Sequence, residues 1–199
     1  MATTNAYCTL AQLKAALRLT DSDNDTILEN CIDAAARLID GHAMRHFFSA
    51  GTATRVFVPD TDIVCYTNDL AGTAITLKTT DAADTVYETT WTTADYQLEP
   101  INGLNLGQAW PYTRIRSTGT LAFPRIGEIA TVQITGVWGW AAIPPQIVQA
   151  NVLQSSRLFK RYDSPLGVAG FGELGAIRVS KGLDTDVAQL VDPFRLGSL

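Results

Sequence analysis

Apolar residues recur at helical spacing near both ends of the chain and at strand-like alternation between them. Thr9 with Gln12 three positions on forms a capping box, and Leu10, Leu13 and Leu17 follow at helical spacing. They predict a short helix that stops near Thr20. A second start follows, with Ser22 and Asp25 as another capping box and Asp21 and Asp23 placing negative charge at the helix start. Ile27, Leu28, Cys31, Ile32, Ala35, Leu38 and Ile39 then form an apolar stripe, opposite a polar face of Glu29, Asp33, Arg37 and Asp40. Gly41 is a candidate end or kink, with His42 to Phe48 as a candidate extension of about two turns.

From residue 52 to 140 the chain is rich in Thr, Val, Ile and aromatics, the composition of strands. Arg55–Val58, Ile63–Tyr66, Ala74–Thr79 and Thr131–Trp138 are the clearest candidates; Thr85–Thr90, Tyr96–Leu98 and Arg114–Arg116 are shorter. Turn residues between them (Pro59, Asn68-Asp69, Asp81, Pro100, Asn102-Gly103, Pro124, Gly127) predict antiparallel strands in a sandwich or open barrel.

Pro144-Pro145 then opens a third helix. One of its faces is traced by Ile147, Val148, Asn151, Val152, Ser155, Leu158, Phe159 and Tyr162, and Arg157, Lys160 and Arg161 sit near its C-terminal end. Asp163-Ser164-Pro165 breaks the helix. Residues 166–176 mix Gly167, Gly170, Gly172 and Gly175 with Leu166, Val168, Phe171 and Leu174, and a last helix is expected from Asp184 through Val191. The resulting fold class is α+β: a helical hairpin and a third long helix form a bundle, with an inserted antiparallel β-rich subdomain and a flexible C-terminal arm. The expected boundaries are 1–50, 51–142 and 143–199.

Only 18% of the 199 residues are charged, below the roughly 25% usual for soluble domains, which fits a surface partly covered by other subunits. Fifteen basic against 20 acidic residues give a net charge of −5, which argues against a protein that grips nucleic acid. A weakly acidic wall past which DNA slides remains compatible with that balance. Met1–Tyr7 lacks the layout of a signal peptide, and no apolar run reaches the ~18–20 residues that span a bilayer. Cys8, Cys31 and Cys65 form no CxxC pair and read as thiols of a reducing cytosol.

Candidate chemistry is thin. Asp21, Asp23 and Asp25 open like an EF-hand loop, but Thr26 replaces its glycine and Ile32 its bidentate glutamate, so capping is the better reading. His42 and His46 would share a helix face, a spacing two zinc ligands can use, yet no third ligand lies nearby and no HExxH motif is present. Solvent-facing or interface histidines are the preferred reading. Trp91, Trp110, Trp138 and Trp140 are candidates to line a ligand face, and more often such residues fill a core or seal an interface. No nucleophile elbow, Walker loop or dinucleotide fingerprint is present. No catalytic, metal or cofactor residue is assigned.

The order of the helical features carries a resemblance. Tyr7-Cys8-Thr9-Leu10-Ala11-Gln12-Leu13-Lys14 precedes Asp23-Asn24-Asp25-Thr26-Ile27-Leu28 and Ile32–Asp40. Val132-Gln133-Ile134-Thr135-Gly136 precedes Ile143-Pro144-Pro145-Gln146-Ile147, a helix ending Leu158-Phe159-Lys160-Arg161, and the Asp163-Ser164-Pro165 break. The set resembles the head–tail connector (adaptor) proteins of tailed-bacteriophage necks over about half of the chain, both helical zones.

The resemblance implies a structural virion protein, made in the host cytoplasm and located at the head–tail interface, with no enzymatic activity and no cofactor. It implies a ring of about a dozen copies beneath the portal protein, extending the channel for double-stranded DNA toward a stopper or tail-completion protein. Phe171, Leu174, Ile177, Val179, Phe194 and Leu196 are the expected portal or subunit interface, since an arm that orders on docking needs apolar anchors on loose backbone. Arg157, Lys160 and Arg161 are candidate inter-subunit or channel charges. The rival readings are a stopper or tail-completion subunit, a β-rich ligand-binding module, and a hydrolase built on His42 and His46.

Overall fold

The computed structural model describes residues 5–84, 86–105, 107–162, 168–169, 177–178 and 183–196. Contacts divide the chain into two units, Met1–Phe48 with Ile143–Leu199 and Ser49–Ala142.

In the first unit, α1 (Leu10–Leu17) begins at the expected capping box: the Gln12 amide donates to the Thr9 hydroxyl, and the Gln12 side chain accepts from the Thr9 amide. Arg18 in the left-handed region ends the helix, two residues before the expected stop. Helix α2 (Asp25–Ala43) starts without the expected second box. Asn24 is its N-cap and makes no side-chain cap bond. The Asp25 amide points at the Ser22 backbone carbonyl, and the Asp25 carboxylate pairs with Lys14 at 2.6 Å. The Ser22 hydroxyl therefore has no amide to cap. Gly41 lies within the helix, and Met44 in the left-handed region ends it. The expected extension through Phe48 is absent. Of the predicted stripe, Leu28, Cys31, Ile32, Ala35 and Ile39 are buried, whereas Leu38 is exposed.

Helix α3 (Pro145–Tyr162) packs on α2 and α1 through a core of Cys8, Leu13, Leu28, Ile32 and Val152. Asn151 on the buried face has a partner at each polar atom of its side chain: it accepts from the Cys8 amide at 2.9 Å and donates to the Ile32 carbonyl at 3.2 Å. That one side chain ties the segment before α1 to both long helices. Tyr162, at the end of the face that Ile147 begins, is exposed.

The second unit holds β1 (Ser49–Phe57), β2 (Val64–Leu70), β3 (Thr76–Thr79), β4 (Thr89–Trp91), β5 (Tyr96–Glu99), β6 (Leu104–Asn105), β7 (Gln108–Ala109), β8 (Tyr112–Ser117) and β9 (Val132–Gly139). Strands β6 and β7 form a small separate hairpin, and the other seven make one antiparallel sheet. The sheet forks at β9. One side of β9 pairs with β1 along its length; the other pairs with β3 at Val132–Thr135 and meets the end of β2 at Trp138. Strands β8 and β5 continue beyond β2, and β4 continues beyond β3. Both arms curl over one core of Leu70, Leu77, Trp91, Ile115, Phe123, Ile134 and Trp138, so the arrangement is one curled sheet instead of a two-sheet sandwich.

Alternation on β9 points Val132, Ile134, Gly136 and Trp138 inward. Gly136 has to be small: a Cβ there would meet Leu70 Cδ1 at 2.9 Å and Ile75 Cγ2 at 3.1 Å. In the register of β1 against β9, Ala53, Arg55 and Phe57 share that inner side.

In the remainder of the first unit, β10 (Val168–Ala169) pairs with β11 (Ile177–Arg178), and α4 (Thr185–Val191) leads into a 3-10 turn at Asp192–Phe194. Asp184 caps α4 through the Asp186 amide, as its sequence predicts.

Candidate functional site

Among the described residues of the first unit, a dense set of contacts lies where the chain leaves α2. Because Met44 turns the backbone sharply, Arg45 and Phe47 fold back onto the bundle and are buried. Phe47 stacks edge-on against Tyr7 (5.7 Å, 84°) and against Phe194 (5.9 Å, 88°). The Tyr7 hydroxyl donates to the Asp40 carboxylate and accepts from the Phe47 amide at 3.0 Å. Asp40 also receives Arg37 at 3.0 Å and faces His46 Nδ1 at 3.4 Å. Burial, and then the bond to Asp40, push the Tyr7 hydroxyl above its ordinary pKa, so it stays protonated and remains a donor. Asp40 is thereby a buried, compensated carboxylate, although the sequence pattern put it on the polar face.

The C-terminal segment docks on this corner. Its Leu196 amide donates to the Ala43 carbonyl at 3.0 Å, filling one of the open acceptors at the end of α2. Arg45 donates to the Phe194 carbonyl at 3.2 Å, and His42 Nε2 lies 2.7 Å from Asp192 Oδ1. At the other end of α4, Arg157 pairs with Asp184 and with Asp186. These contacts hold residues 184–196, which belong to the expected flexible arm, on the bundle.

The structure distributes the sequence-predicted interface residues unevenly. Phe194 is 2% exposed and anchors its own segment, whereas Leu196 is 40% exposed. Ile177 lies on β11, with only its backbone described. Phe171, Leu174 and Val179 lie outside the described residues. Of the three basic residues, Arg157 is engaged by the two aspartates and Lys160 is exposed. Arg161 lines an open groove of about 350 Å³ between α2 and α3 with Asn30, Cys31, Ala34, Leu158 and Tyr162.

The weaker chemical candidates are separated. His42 is on α2, but the helix ends before His46, so the two do not share a helix face; each faces an aspartate. Among the described residues no group of three or more His, Cys, Asp or Glu side chains is placed to hold a metal. Asp21 Oδ1 accepts from the Asp23 amide, and Asp25 is taken by Lys14. All three cysteines are buried and unpaired; burial pushes the Cys8 thiol up to about 11 and the Cys65 thiol up to about 12, which disfavours the thiolate. No described helix is long and apolar enough to cross a membrane.

The tryptophans of the second unit are committed to internal partners. Trp91 stacks on Phe123 (4.6 Å, 13°) and donates to Thr79; Trp138 donates to the Ala53 carbonyl; Trp140 donates to Asp69 and packs edge-on against Trp110. A ligand face made of indoles is therefore not formed. On the outer side of β5 and β8, Glu99 is gripped by Arg114 and Arg116.

No protein-family model matches the sequence, and no curated protein matches it. Solved structures do match, across the whole chain. A chain in the neck of a native GTA particle, computed with C12 symmetry, aligns with a TM-score of 0.56 at 20% identity, covering 100% of this chain and 94% of its own length. A chain in the neck of an empty GTA particle, computed with C6 symmetry, aligns with a TM-score of 0.55 at 18% identity and the same coverage. The chain has the fold of a GTA neck protein. A chain in the virion of a native gene transfer agent (GTA) particle adds a third match, at 22% identity and a TM-score of 0.55. The GTA neck fold spans both units here, the helical bundle and the inserted sheet alike.

Tyr7, Asp40 and Phe47 form the part of this site that the sequence pattern did not single out. A signal for Asp40 existed: it stands four residues after Ala36 and three before Ala43, inside the stripe that packs.

Proposed function

We propose that the chain is a structural subunit of a phage-like neck, an adaptor that forms a ring beneath the portal, extends the DNA channel and joins head to tail. The observation that carries this reading is the full-length match to chains of the GTA neck, solved with twelvefold and sixfold symmetry. Several features of the chain agree with it. Its buried Tyr7, Asp40 and Asn151 tie segments of the bundle together. Its cysteines are buried thiols. Its net charge of −5 suits a wall that repels the duplex sliding past it.

In this reading the partners are further copies of the chain, the portal protein on one side and a stopper or tail-completion protein on the other, with DNA passing without sequence recognition. Portal contact falls to Phe171, Leu174, Ile177, Val179 and the exposed Leu196, with Phe194 anchoring the segment that carries Leu196. Lys160, exposed at the end of α3, is the basic residue best placed to meet a neighbour or the channel. The test is electron microscopy of the cognate portal ring mixed with the chain. A second ring seated coaxially beneath the portal is the expected result, and a portal that stays bare at saturating chain contradicts the reading. Leu196→Asp, which alters an exposed residue, is expected to weaken seating while the fold is retained.

A further inference from the structure

The forked sheet has one long uncovered edge. Strand β1 pairs with β9 on one side, and among the described residues no strand pairs with its other side. The other strands that end the sheet are short: β4 has three residues, and β5 has four, with Glu99 fixed by two arginines and Pro100 following. A bare edge presents a row of unpaired amides and carbonyls that templates pairing with another chain, and folded proteins guard such edges with lysines, prolines, bulges or inward charges.

On β1 two of those guards are present, a bulge at its beginning and one inward charge, and no lysine or proline stands on the outward face of Thr52–Phe57. Ser49–Phe57 contains no Lys, Asp, Glu or Pro, and every residue except Arg55 and Phe57 is exposed. Its one charge is turned onto the inner side, where the Arg55 guanidinium sits 4.5 Å from the Trp138 ring and bonds Asn68 at 3.1 Å. The one register shift, between Ser49 and Gly51, lies at the strand's beginning and leaves Thr52–Phe57 regular. The outward side chains there are Thr52, Thr54 and Val56, with Val58 continuing beyond the strand; Val56 is 51% and Val58 45% exposed.

We infer that the free edge of β1, at Thr52–Phe57, is a joint between subunits, where it pairs with a strand of a second copy of this chain. The inference rests on the neck reading and adds the surface that closes the ring. A second copy fits for two reasons. Chains with this fold were solved in C12 and C6 necks, so the neighbour is another copy. Each copy carries a net charge of −5, and Thr52–Phe57, with no outward charge, adds nothing to the repulsion between copies while offering ladder hydrogen bonds made by backbone alone. A ring also requires β1 to meet a different edge of its neighbour, since β1 against β1 across a twofold axis stops at a dimer.

The experiment compares wild type with the Thr52→Lys/Val56→Lys double variant, two exposed positions, using native mass spectrometry with the cognate portal ring as template. Hydrogen exchange is followed on the wild type, free and assembled. Wild type is expected to form the ring, and the β1 amides pointing away from β9 are expected to exchange about tenfold slower or more in it. The variant is expected to keep the wild-type melting curve and to fail to close the ring. A wild-type ring whose β1 exchanges as fast as in the free chain overturns the inference and leaves the neck reading standing, as does a folded variant that assembles normally. A β1–β1 dimer, or protection of β1 by another neck protein without a ring, also overturns it. Wild type that never assembles overturns the neck reading, and this inference with it.

Discussion

The Tyr7 hydroxyl donates to the Asp40 carboxylate across 33 positions of sequence while accepting the Phe47 amide, so one phenol joins the chain start, the end of α2 and the turn after it. Tyr7→Phe keeps the ring packing against Phe47 but strands one buried amide and removes a donor from a buried carboxylate. A loss of about 1–3 kcal/mol in unfolding free energy is expected, read from urea denaturation. An unchanged midpoint would mean that Arg37 and His46 satisfy Asp40 without the tyrosine.

Phe194→Ala tests whether residues 184–196 are held by their aromatic anchor. Truncating a buried phenylalanine costs about 3–5 kcal/mol when the site cannot collapse. If Phe194 carries the docking of the segment, the expected result is local. Amides of 185–196 should exchange rapidly while those of α1–α3 stay protected. Exchange rising equally throughout the bundle would make α4 part of the cooperative core.

Gly136→Ala probes the fork of the sheet, where Leu70 and Ile75 occupy the space a Cβ needs. Overpacking there is expected to destabilise the second unit by about 1–3 kcal/mol, measured by thermal or denaturant unfolding of the full chain.

Glu99 gives the sheet an acid limit. Burial alone would raise its pKa, but the Arg116 bond and the Arg114 charge outweigh it and hold the carboxyl below its ordinary 4.5. As pH falls, the unfolded chain therefore takes up this proton first. The stabilisation is complete above about 4.5 and is lost as pH falls through the lower folded value. Glu99→Gln should lower stability at pH 7 and flatten the acid limb of the pH–stability curve. An acid limb as steep as in wild type assigns it to other carboxylates.

Much of the helical architecture was legible because helix signals are local. The Thr9–Gln12 box, the Pro144-Pro145 start and the Asp184 cap each depend on residues within one turn. The Ser22 box failed for a tertiary reason: Lys14, on the preceding helix, draws Asp25 into an ion pair. The strands were found more reliably than their arrangement. Alternation locates Val132–Trp138, but nothing local says that β9 pairs with β1 on one side and with both β3 and β2 on the other. Asp40 was misjudged: a polar residue beside an apolar stripe looks exposed until the chain folds Tyr7 and Phe47 onto it.

The most direct test of the neck account is the mass of the full chain in solution, by native mass spectrometry, alone and with the cognate portal ring. The account predicts a closed ring of many copies, formed alone or on the portal. A chain that stays monomeric at every concentration and ignores the portal would contradict it.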